Sequence, residues 1–523
     1  MARRAQPLRL GTLPGILALA FVLALGLGSF SAVLLRAEGP GRFSTADWAA
    51  LRFTLLQAFL SAALSITLAI PIARALARRQ FPGRRFLIVA LGAPFILPVI
   101  VAVMGLLGTF GRSGVVNLAL AAFGLPPMQI YGLQGVLLAH VFLNLPLAVR
   151  LILNGWTAIP AERFRLAASL DLAPRDIWRL VERPMLRSVL PGAALAIFLI
   201  CLTSFTVALT MGGGPKATTL ELAIYQSFRM EFDLAHAATL ASAQMVLSLI
   251  AAGTSLAIVT PTAFGTGNDR AVERWDAAQR SARLLDALWL GAMSLFLAVP
   301  ILLIILDGLP GLAHLPASIW PAAARSVIVA LGSTALAISL ALAIGIWITS
   351  VSSRSGRIVD GLAMLTLTAS PLVLGTGLFL ILRPAIDPVR WALLITLVVN
   401  AAMALPFALR SILPGLHDIR ANYSRLAESL DQRGFARLRY LVLPRLRRPL
   451  WFAAGLCAAL SMGDLGVITL FADPARATLP MEIYSLMGAY KMDIAAAAAL
   501  VLVSLSFGLF WLLDHRGHRD ADA

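Results

Sequence analysis

Twelve long apolar runs divide the 523-residue sequence, and their length limits the environment in which the chain can fold. An α-helix needs about 20 mostly apolar residues to cross the hydrocarbon core of a bilayer. Only 13% of the residues are charged, against about 25% in soluble domains, and the mean hydropathy is +0.85. The sequence therefore predicts an all-α polytopic membrane protein. The predicted spans are residues 13–35, 51–73, 86–110, 131–156, 189–211, 234–260, 284–306, 326–350, 359–382, 391–413, 451–472 and 494–513.

The net charge of +17 is unevenly distributed along this pattern. If the N-terminus is cytoplasmic, the loops on that side carry the whole excess of basic residues, and the other side carries the two signs equally. This asymmetry follows the positive-inside rule. It indicates a lipid bilayer rather than a nucleic acid as the partner, and it places both termini in the cytoplasm. The first run, which follows Arg3, Arg4 and Arg9, is longer than the apolar part of a signal peptide, so we expect an uncleaved helix.

A basic segment occurs twice, at residues 157–188 and 414–450, each time between the fourth and fifth spans of one half. Matching residues in the two copies are 260 positions apart. Pro98 and Pro371 differ by 273, which predicts a 13-residue insertion in the first half. The chain is therefore expected to contain two homologous six-helix halves. The matched pairs in the basic segments are Leu166 with Leu426, Asp171 with Asp431, and Pro184 with Pro444.

This repeat predicts a division of the chain. We expect an N-terminal segment with the first helix, a first transmembrane domain, a linker with the seventh helix, a second transmembrane domain and a cytoplasmic tail. The corresponding ranges are 1–47, 48–260, 261–320, 321–513 and 514–523.

The spacing of the basic segments resembles the cytoplasmic EAA loop of ABC importer permeases of type I (MetI-like). In that family the loop forms short coupling helices that dock on an ATPase subunit. Arg165 and Arg425 stand where the family usually has Glu, and Asp171 and Asp431 stand where it has Gly. The resemblance implies that coupling involves Phe164, Arg165, Leu166, Ala167, Ala168, Leu170, Asp171 and Pro184, and Arg425, Leu426, Ala427, Leu430, Asp431 and Pro444.

Two structural expectations follow for the loops. Asp171 and Asp431 can replace glycine after a helix because Asp enters the positive-φ region at modest cost. Phe164, Ala167 and Leu170 recur at helical spacing and are expected to form one apolar face, as are Leu426 and Leu430. The small side chains of Ala167 and Ala427 would then allow a partner to approach closely.

Asp464 is the most informative ionisable residue within a predicted span, and its counterpart in the first half is Ser204. Intramembrane carboxylates face a cavity or a partner because they cost about 2.5–3.5 kcal/mol on insertion scales. Two interpretations remain open for this pair. Asp464 and Ser204 line a path for a cation, or Asp464 makes a hydrogen bond between helices or is shielded by an arginine.

The external links between the fifth and sixth spans also match, and each carries a glutamate, Glu221 or Glu482. Turn chemistry alone accounts for their polar, Gly-rich composition. With the resemblance, Glu221 and Glu482 become candidates for docking a periplasmic binding protein.

The sequence offers no catalytic constellation, and we expect no enzyme activity in this chain. Lys216 and Lys491 are its two lysines, and neither follows the Gly-rich turn of a Walker A loop. Cys201 and Cys457 lie in apolar runs, and the six histidines lack metal-ligand spacing. We therefore expect no metal and no cofactor in this chain, and the resemblance implies that ATP is bound by a separate subunit.

Several stretches narrow the resemblance to the thiamine and thiamine pyrophosphate permease family; among them are 131–146 and 212–226. That family implies two ATPase copies, a periplasmic thiamine-binding protein, the bacterial inner membrane, and transport of thiamine and thiamine phosphates. Two alternatives stay open. A ferric iron permease shares the doubled architecture, and a twelve-helix secondary transporter has two six-helix halves but no reason to duplicate the basic loop.

The topology can be tested with reporter fusions. Fusions after Gly213 and Asp473 should be periplasmic, and fusions after Pro174 and Gly434 cytoplasmic, because the basic loops stay inside. Alkaline phosphatase and green fluorescent protein activities measure the two locations. The reverse pattern would contradict the orientation.

Overall fold

The computed structural model describes residues 12–37, 43–92, 96–258, 279–364, 370–432, 434–471 and 476–519. Within these ranges the regular structure is helical. Of the predicted linker, residues 261–278 lie outside the described residues, as do the N-terminal arginines and the last four residues of the tail.

The first half of the chain contains twelve α-helices among its described residues. They are α1 (Thr12–Arg36), α2 (Thr45–Arg78), α3 (Arg84–Ala90), α4 (Val99–Phe110), α5 (Val115–Ala122), α6 (Leu133–Thr157), α7 (Ala161–Ser169), α8 (Pro174–Ile177), α9 (Arg183–Leu202), α10 (Phe205–Met211), α11 (Leu220–Arg229) and α12 (Leu234–Ile258).

The second half repeats this order with ten described helices. They are α13 (Arg280–Gly311), α14 (Ile319–Ser350), α15 (Ser353–Met364), α16 (Pro371–Leu382), α17 (Ala392–Ser429), α18 (Gly434–Arg437), α19 (Leu443–Met462), α20 (Gly466–Phe471), α21 (Leu479–Gly488) and α22 (Met492–Arg519).

The membrane architecture agrees with the twelve predicted runs. Among the described residues, 11 helical segments are long and apolar enough to cross a bilayer, and α16 is a shorter apolar helix at the position of the ninth run. The third run is divided between α3 and α4, and the ninth between α15 and α16. The fifth and eleventh runs break near Ser204 and Asp464. Four of the predicted continuous spans are thus interrupted.

Side chains satisfy backbone N–H groups at two helix starts, and the second of these lies at a break in an apolar run. Ser44 and Asp47 form a capping box at the start of α2, with Asp47 N donating to Ser44 Oγ at 3.1 Å and Ser44 N donating to Asp47 Oδ2 at 2.8 Å. At the start of α16, Ser370 Oγ accepts hydrogen bonds from the backbone N–H groups of Leu372 and Val373. Pro371 occupies the first position, where its missing N–H costs nothing.

Contacts divide the chain into two compact units, described separately here. One unit comprises Phe43–Ala223 and Ser248–Ala313, so α13 packs on α2 and α4 of the first repeat. The other comprises Met1–Arg42, Ile224–Leu247 and His314–Ala523, so α1 packs on α14 and α16 of the second repeat. Each repeat therefore carries the helix that precedes the other repeat in sequence. The predicted domain ranges describe the repeats and stay a prediction.

Small residues permit these helix contacts. A Cβ added at Gly105 in α4 would overlap the backbone of Pro300 in α13, and one added at Gly377 in α16 would overlap Ser29 in α1. Close backbone approach through small residues is the usual basis of helix packing in membranes. Gly105 and Gly377 are 272 positions apart, so this part of the repeat is aligned one residue differently from the offset of 273 that the prolines suggested.

Candidate functional site

The paired basic loops share the backbone conformation of the turn that follows each helix. The first loop contains α7, and the second contains the C-terminal part of α17. Both helices end at an aspartate with positive φ, 47° at Asp171 and 48° at Asp431. The sequence analysis predicted this conformation, and the prediction is confirmed.

The hydrogen bonds after each aspartate form a Schellman motif. Leu172 N donates to Ala167 O at 3.1 Å, and Gln432 N donates to Ala427 O at 2.9 Å. These bonds satisfy carbonyl groups that have no partner within the helix. The turn is therefore preserved although aspartate stands where the family has glycine.

A second shared feature follows the turn. Trp178–Glu182 and Leu438–Val442 are π-helical, again 260 residues apart. Arg183 N donates to Trp178 O, and Leu443 N donates to Leu438 O, five residues back rather than four. Pro184 and Pro444 come next and donate no backbone hydrogen bond. π-Helical turns are rare and are often found at functional sites.

The side chains that face outward differ from the predicted apolar face. Leu166 and Leu170 are each 61% exposed, and Leu426 and Leu430 are 52% and 61% exposed. By contrast Phe164 and Ala167 are only 3% exposed, and Ala427 is 2% exposed. The expectation that Phe164, Ala167 and Leu170 share one face was wrong, because the first two pack against their own chain.

The remaining loop candidates lie on the surface. Arg165, Ala168 and Arg425 are exposed beside the leucines, and Pro184 and Pro444 are exposed at the far side of the turn. Each loop therefore presents two leucines, one helical turn apart, next to arginine. Their role in coupling stays a prediction.

The base of the first loop is fixed by a buried carboxylate. Glu182 is fully buried, and its Oε2 lies 2.9 Å from Nη2 of Arg74 in α2. Trp156 Nε1 donates to Glu182 Oε1 at 3.3 Å, and the Arg74 guanidinium lies 5.4 Å from the centre of the Trp178 ring. This ion pair, in which the carboxylate is buried and the Arg74 side chain is 25% exposed, joins the π-helical turn to α2, and the Trp156 bond joins the turn to α6.

The base of the second loop is built differently. Val442 stands at the position of Glu182, and Arg437, which is 6% exposed, lines a cavity of about 10 Å³ together with Arg420. Arg420 Nη1 donates to Val351 O at 3.4 Å, and the Arg445 guanidinium lies 3.6 Å from the ring centre of Tyr423. The two loops thus share an outer backbone but have different supports.

Asp464 lies at the break between α19 and α20. Its Oδ1 accepts a hydrogen bond from Gly466 N at 3.2 Å. With the amide of Asn400 oriented to suit its neighbours, Asn400 donates to Asp464 Oδ2 at 3.1 Å and accepts from Ser461 Oγ at 3.0 Å. These contacts join α17 to the break, which is the helix-to-helix hydrogen bond that the sequence analysis weighed against a path. Ser204 occupies the equivalent break between α9 and α10.

A polar cluster around His140 was missed by the sequence analysis. His140 is 2% exposed, and its Nδ1 lies 3.0 Å from Ser61 Oγ. Asn144 donates to Cys201 Sγ at 3.3 Å, and Gln57 donates to the carbonyl oxygen of Cys201 at 2.9 Å. The offset of 260 would have shown that His140, Cys201 and Ser204 match Asn400, Ser461 and Asp464. Both repeats therefore carry polar groups at the helix break.

The external links pack through equivalent hydrogen bonds. Leu220 N donates to Thr54 Oγ1 at 2.9 Å, and Leu479 N donates to Ser326 Oγ at 2.8 Å. The Glu221 side chain is fully buried. A docking protein could reach Glu221 only if this segment opened.

Glu482 is half-buried, and its Oε1 accepts a hydrogen bond from Ser318 Oγ at 2.8 Å. The docking role of both glutamates stays a prediction.

Two tyrosines lie in the same external links. Burial raises the pKa of Tyr225 and of Tyr484, and the charge of Tyr225 raises the pKa of Tyr484 further. Both phenols are therefore neutral hydrogen-bonding groups at physiological pH.

Two repeats, each with a basic loop that resembles the EAA loop, are characteristic of the type I ABC importer permeases. No family model matches the chain. The chain does match curated relatives. The chain is 39% identical over 527 residues to the thiamine transport system permease protein of Brucella abortus (strain 2308), covering 98% of this chain and 97% of the relative.

A second relative is the thiamine transport system permease protein of Escherichia coli (strain K12), which is 39% identical over 98% of both chains. The molybdenum transport system permease protein of Azotobacter vinelandii is 30% identical over 36% of this chain and 85% of its own length. The chain belongs to the family of thiamine transport system permease proteins. It is a multi-pass membrane protein, and membership in this family excludes the secondary transporter alternative.

The ion pair at the base of the first loop can be tested by removing one charge. Arg74→Met removes the cation that faces the buried Glu182 carboxylate, so the free energy of unfolding should fall by about 3 kcal/mol. Replacing both partners, Arg74→Met with Glu182→Leu, should restore most of the stability. Thermal unfolding of the purified chain in detergent measures the change. Arg165→Met, in the exposed part of the loop, is the control, and equal midpoints for Arg74→Met and Arg165→Met would contradict the assignment.

Proposed function

We propose that this chain is the translocating subunit of a thiamine importer of the bacterial inner membrane. It carries thiamine and thiamine phosphates inward, two copies of a separate ATPase subunit dock on its two basic loops, and a periplasmic binding protein delivers the substrate. The observation that carries the proposal is the pair of loops with one backbone and one pattern of exposed leucines. The relatives that match over nearly the whole chain are thiamine transport system permease proteins, which supports thiamine as the substrate.

Two docking sites follow from the duplication. A partner that recognises α7 and its turn would find the same turn at the end of α17, because Asp171 and Asp431 hold the same conformation. Two identical ATPase copies satisfy this requirement. Paired leucines that are exposed to water do not stabilise the fold, whereas binding to a partner surface would bury them.

The support for Asp464 in the path is its position and its charge. Thiamine carries a permanent positive charge on its thiazolium ring, and a carboxylate at a helix break would lower the cost of moving a cation through a region of low dielectric constant. Ser204 marks the equivalent position in the other repeat. We propose that both lie on the path.

The substrate is tested by uptake. Cells that lack their own thiamine permease and express the complete system with this chain should accumulate radiolabelled thiamine, and ferric iron should not compete. Accumulation of ferric iron without thiamine would favour the iron permease alternative and contradict the proposal.

The coupling role predicts a strong effect at the exposed leucines. The double substitution Leu166→Asp with Leu170→Asp removes apolar area worth about 2 kcal/mol for each side chain. ATPase binding should therefore weaken by about a thousandfold, and the second pair, Leu426→Asp with Leu430→Asp, should behave alike. Co-purification of the ATPase and ATP-driven thiamine uptake are the measurements.

Two control variants make this result specific. Met230→Asp changes an apolar side chain that is 62% exposed in an external link, and it should leave ATPase binding intact. Ala167→Glu places a carboxylate inside the chain's own packing, so it should lower stability rather than only docking. If both leucine pairs can be replaced without loss of ATPase binding, the loops are not the coupling surface.

The path role predicts that Asp464→Asn reduces thiamine uptake about tenfold or more, because the fixed negative charge is lost while the size is kept. The ATPase should still co-purify. Ser461→Ala is the matched control, since it removes a hydrogen bond from the same network without changing charge. Equal uptake by Asp464→Asn and the wild type would leave Asp464 with a packing role alone.

A further inference from the structure

An open groove runs between α14 and the start of α19 and encloses about 440 Å³, within the range of ligand pockets. Its lining is mostly apolar and includes two arginines, Arg439 and Arg447, with Leu443 and Pro444 between them in the sequence. Both arginines are exposed. The groove is lined by Ile338, Leu342, Arg439, Leu443, Pro444, Arg447, Leu450, Trp451 and Ala454.

The apolar lining continues along α19 beyond the second arginine. Arg447 and Ala454 are seven residues apart in α19, which corresponds to about 10 Å along the axis. Leu342 in α14 lies a similar distance from the end of its helix at Ser350. An acyl chain that follows this lining therefore has about two helical turns of apolar surface next to Arg447.

An indole ring marks the boundary between these two zones. Trp451 lines the groove, and the Arg516 guanidinium of α22 lies 5.9 Å from its ring centre. Tryptophan is enriched at the level of lipid headgroups. Arg516 therefore brings a third positive charge close to Trp451.

We propose that this groove binds an anionic phospholipid from the adjoining leaflet. The headgroup phosphate contacts Arg439 and Arg447, and one acyl chain lies along Ile338, Leu342 and Leu450. Charge complementarity selects this occupant. A zwitterionic lipid brings its own cation beside the arginines, whereas an anionic headgroup does not.

The first repeat supplies a matched comparison. Arg179 and Arg187 are the equivalents of Arg439 and Arg447 at the offset of 260, and both are exposed. Pro191 stands where the second repeat has Trp451. The same pair of charges thus occurs in the first repeat without the indole ring that lines the groove in the second.

The test uses the intact chain, purified in neutral detergent, with native mass spectrometry as the readout. Phosphatidylglycerol should bind in preference to phosphatidylcholine of the same acyl length. Arg439→Gln with Arg447→Gln should lower phosphatidylglycerol binding by about twentyfold, since each arginine near an anionic headgroup contributes about fivefold. Arg179→Gln with Arg187→Gln removes equal charge and should leave the binding at the wild-type level.

A second measurement does not depend on the arginine variants. Phosphatidylglycerol with brominated acyl chains should quench more of the tryptophan fluorescence in the wild type than in Trp451→Phe. Brominated phosphatidylcholine should quench the two proteins alike. Equal binding of the two lipids by the wild type, equal loss in both arginine pairs, or quenching that is independent of Trp451 would overturn the proposal, and would leave the groove to a protein segment.

Discussion

The hydrocarbon core of the bilayer supplies no water to bond a free backbone group, and the positions of the helix breaks depend on this constraint. Two of the breaks observed within apolar runs have a local side-chain substitute. Ser370 accepts the first N–H groups of α16, and Asp464 accepts the N–H of Gly466 at the start of α20. A carboxylate in the membrane is therefore explained in part by backbone hydrogen bonding.

Duplication preserves backbone conformation more strictly than side-chain contacts. The turns at Asp171 and Asp431 agree within one degree in φ, and both π-helical turns precede a proline. Beneath them Glu182 is replaced by Val442, and an ion pair by a cavity that Arg437 lines. The exposed turn is therefore alike in the two repeats, whereas the contacts at the base of each loop are specific to its own repeat.

The sequence predicted the features that depend on local chemistry. Run length was enough to find the membrane segments, and the stereochemistry of aspartate was enough to predict positive φ. The buried side of the loop helices was not predictable. Helical spacing places Phe164, Ala167 and Leu170 near one another, but it does not show which side of the helix packs against the rest of the protein. The cluster at His140 was missed for a related reason. His140 is a single polar residue in an apolar run, and only the fold shows that Ser61 lies beside it.

The two loops differ in how they connect to the membrane helices. Pro160 separates α6 from α7, so the first loop helix begins anew, with Phe164 and Ala167 buried against the rest of the chain. At the equivalent position Arg420 lets α17 continue from the membrane to Ser429. Leu426 and Asn400 therefore belong to one helix and lie about 40 Å apart along it. Because Asn400 bonds Asp464, a single helix joins the second loop to the helix break, whereas in the first repeat the chain between loop and break is interrupted at Pro160.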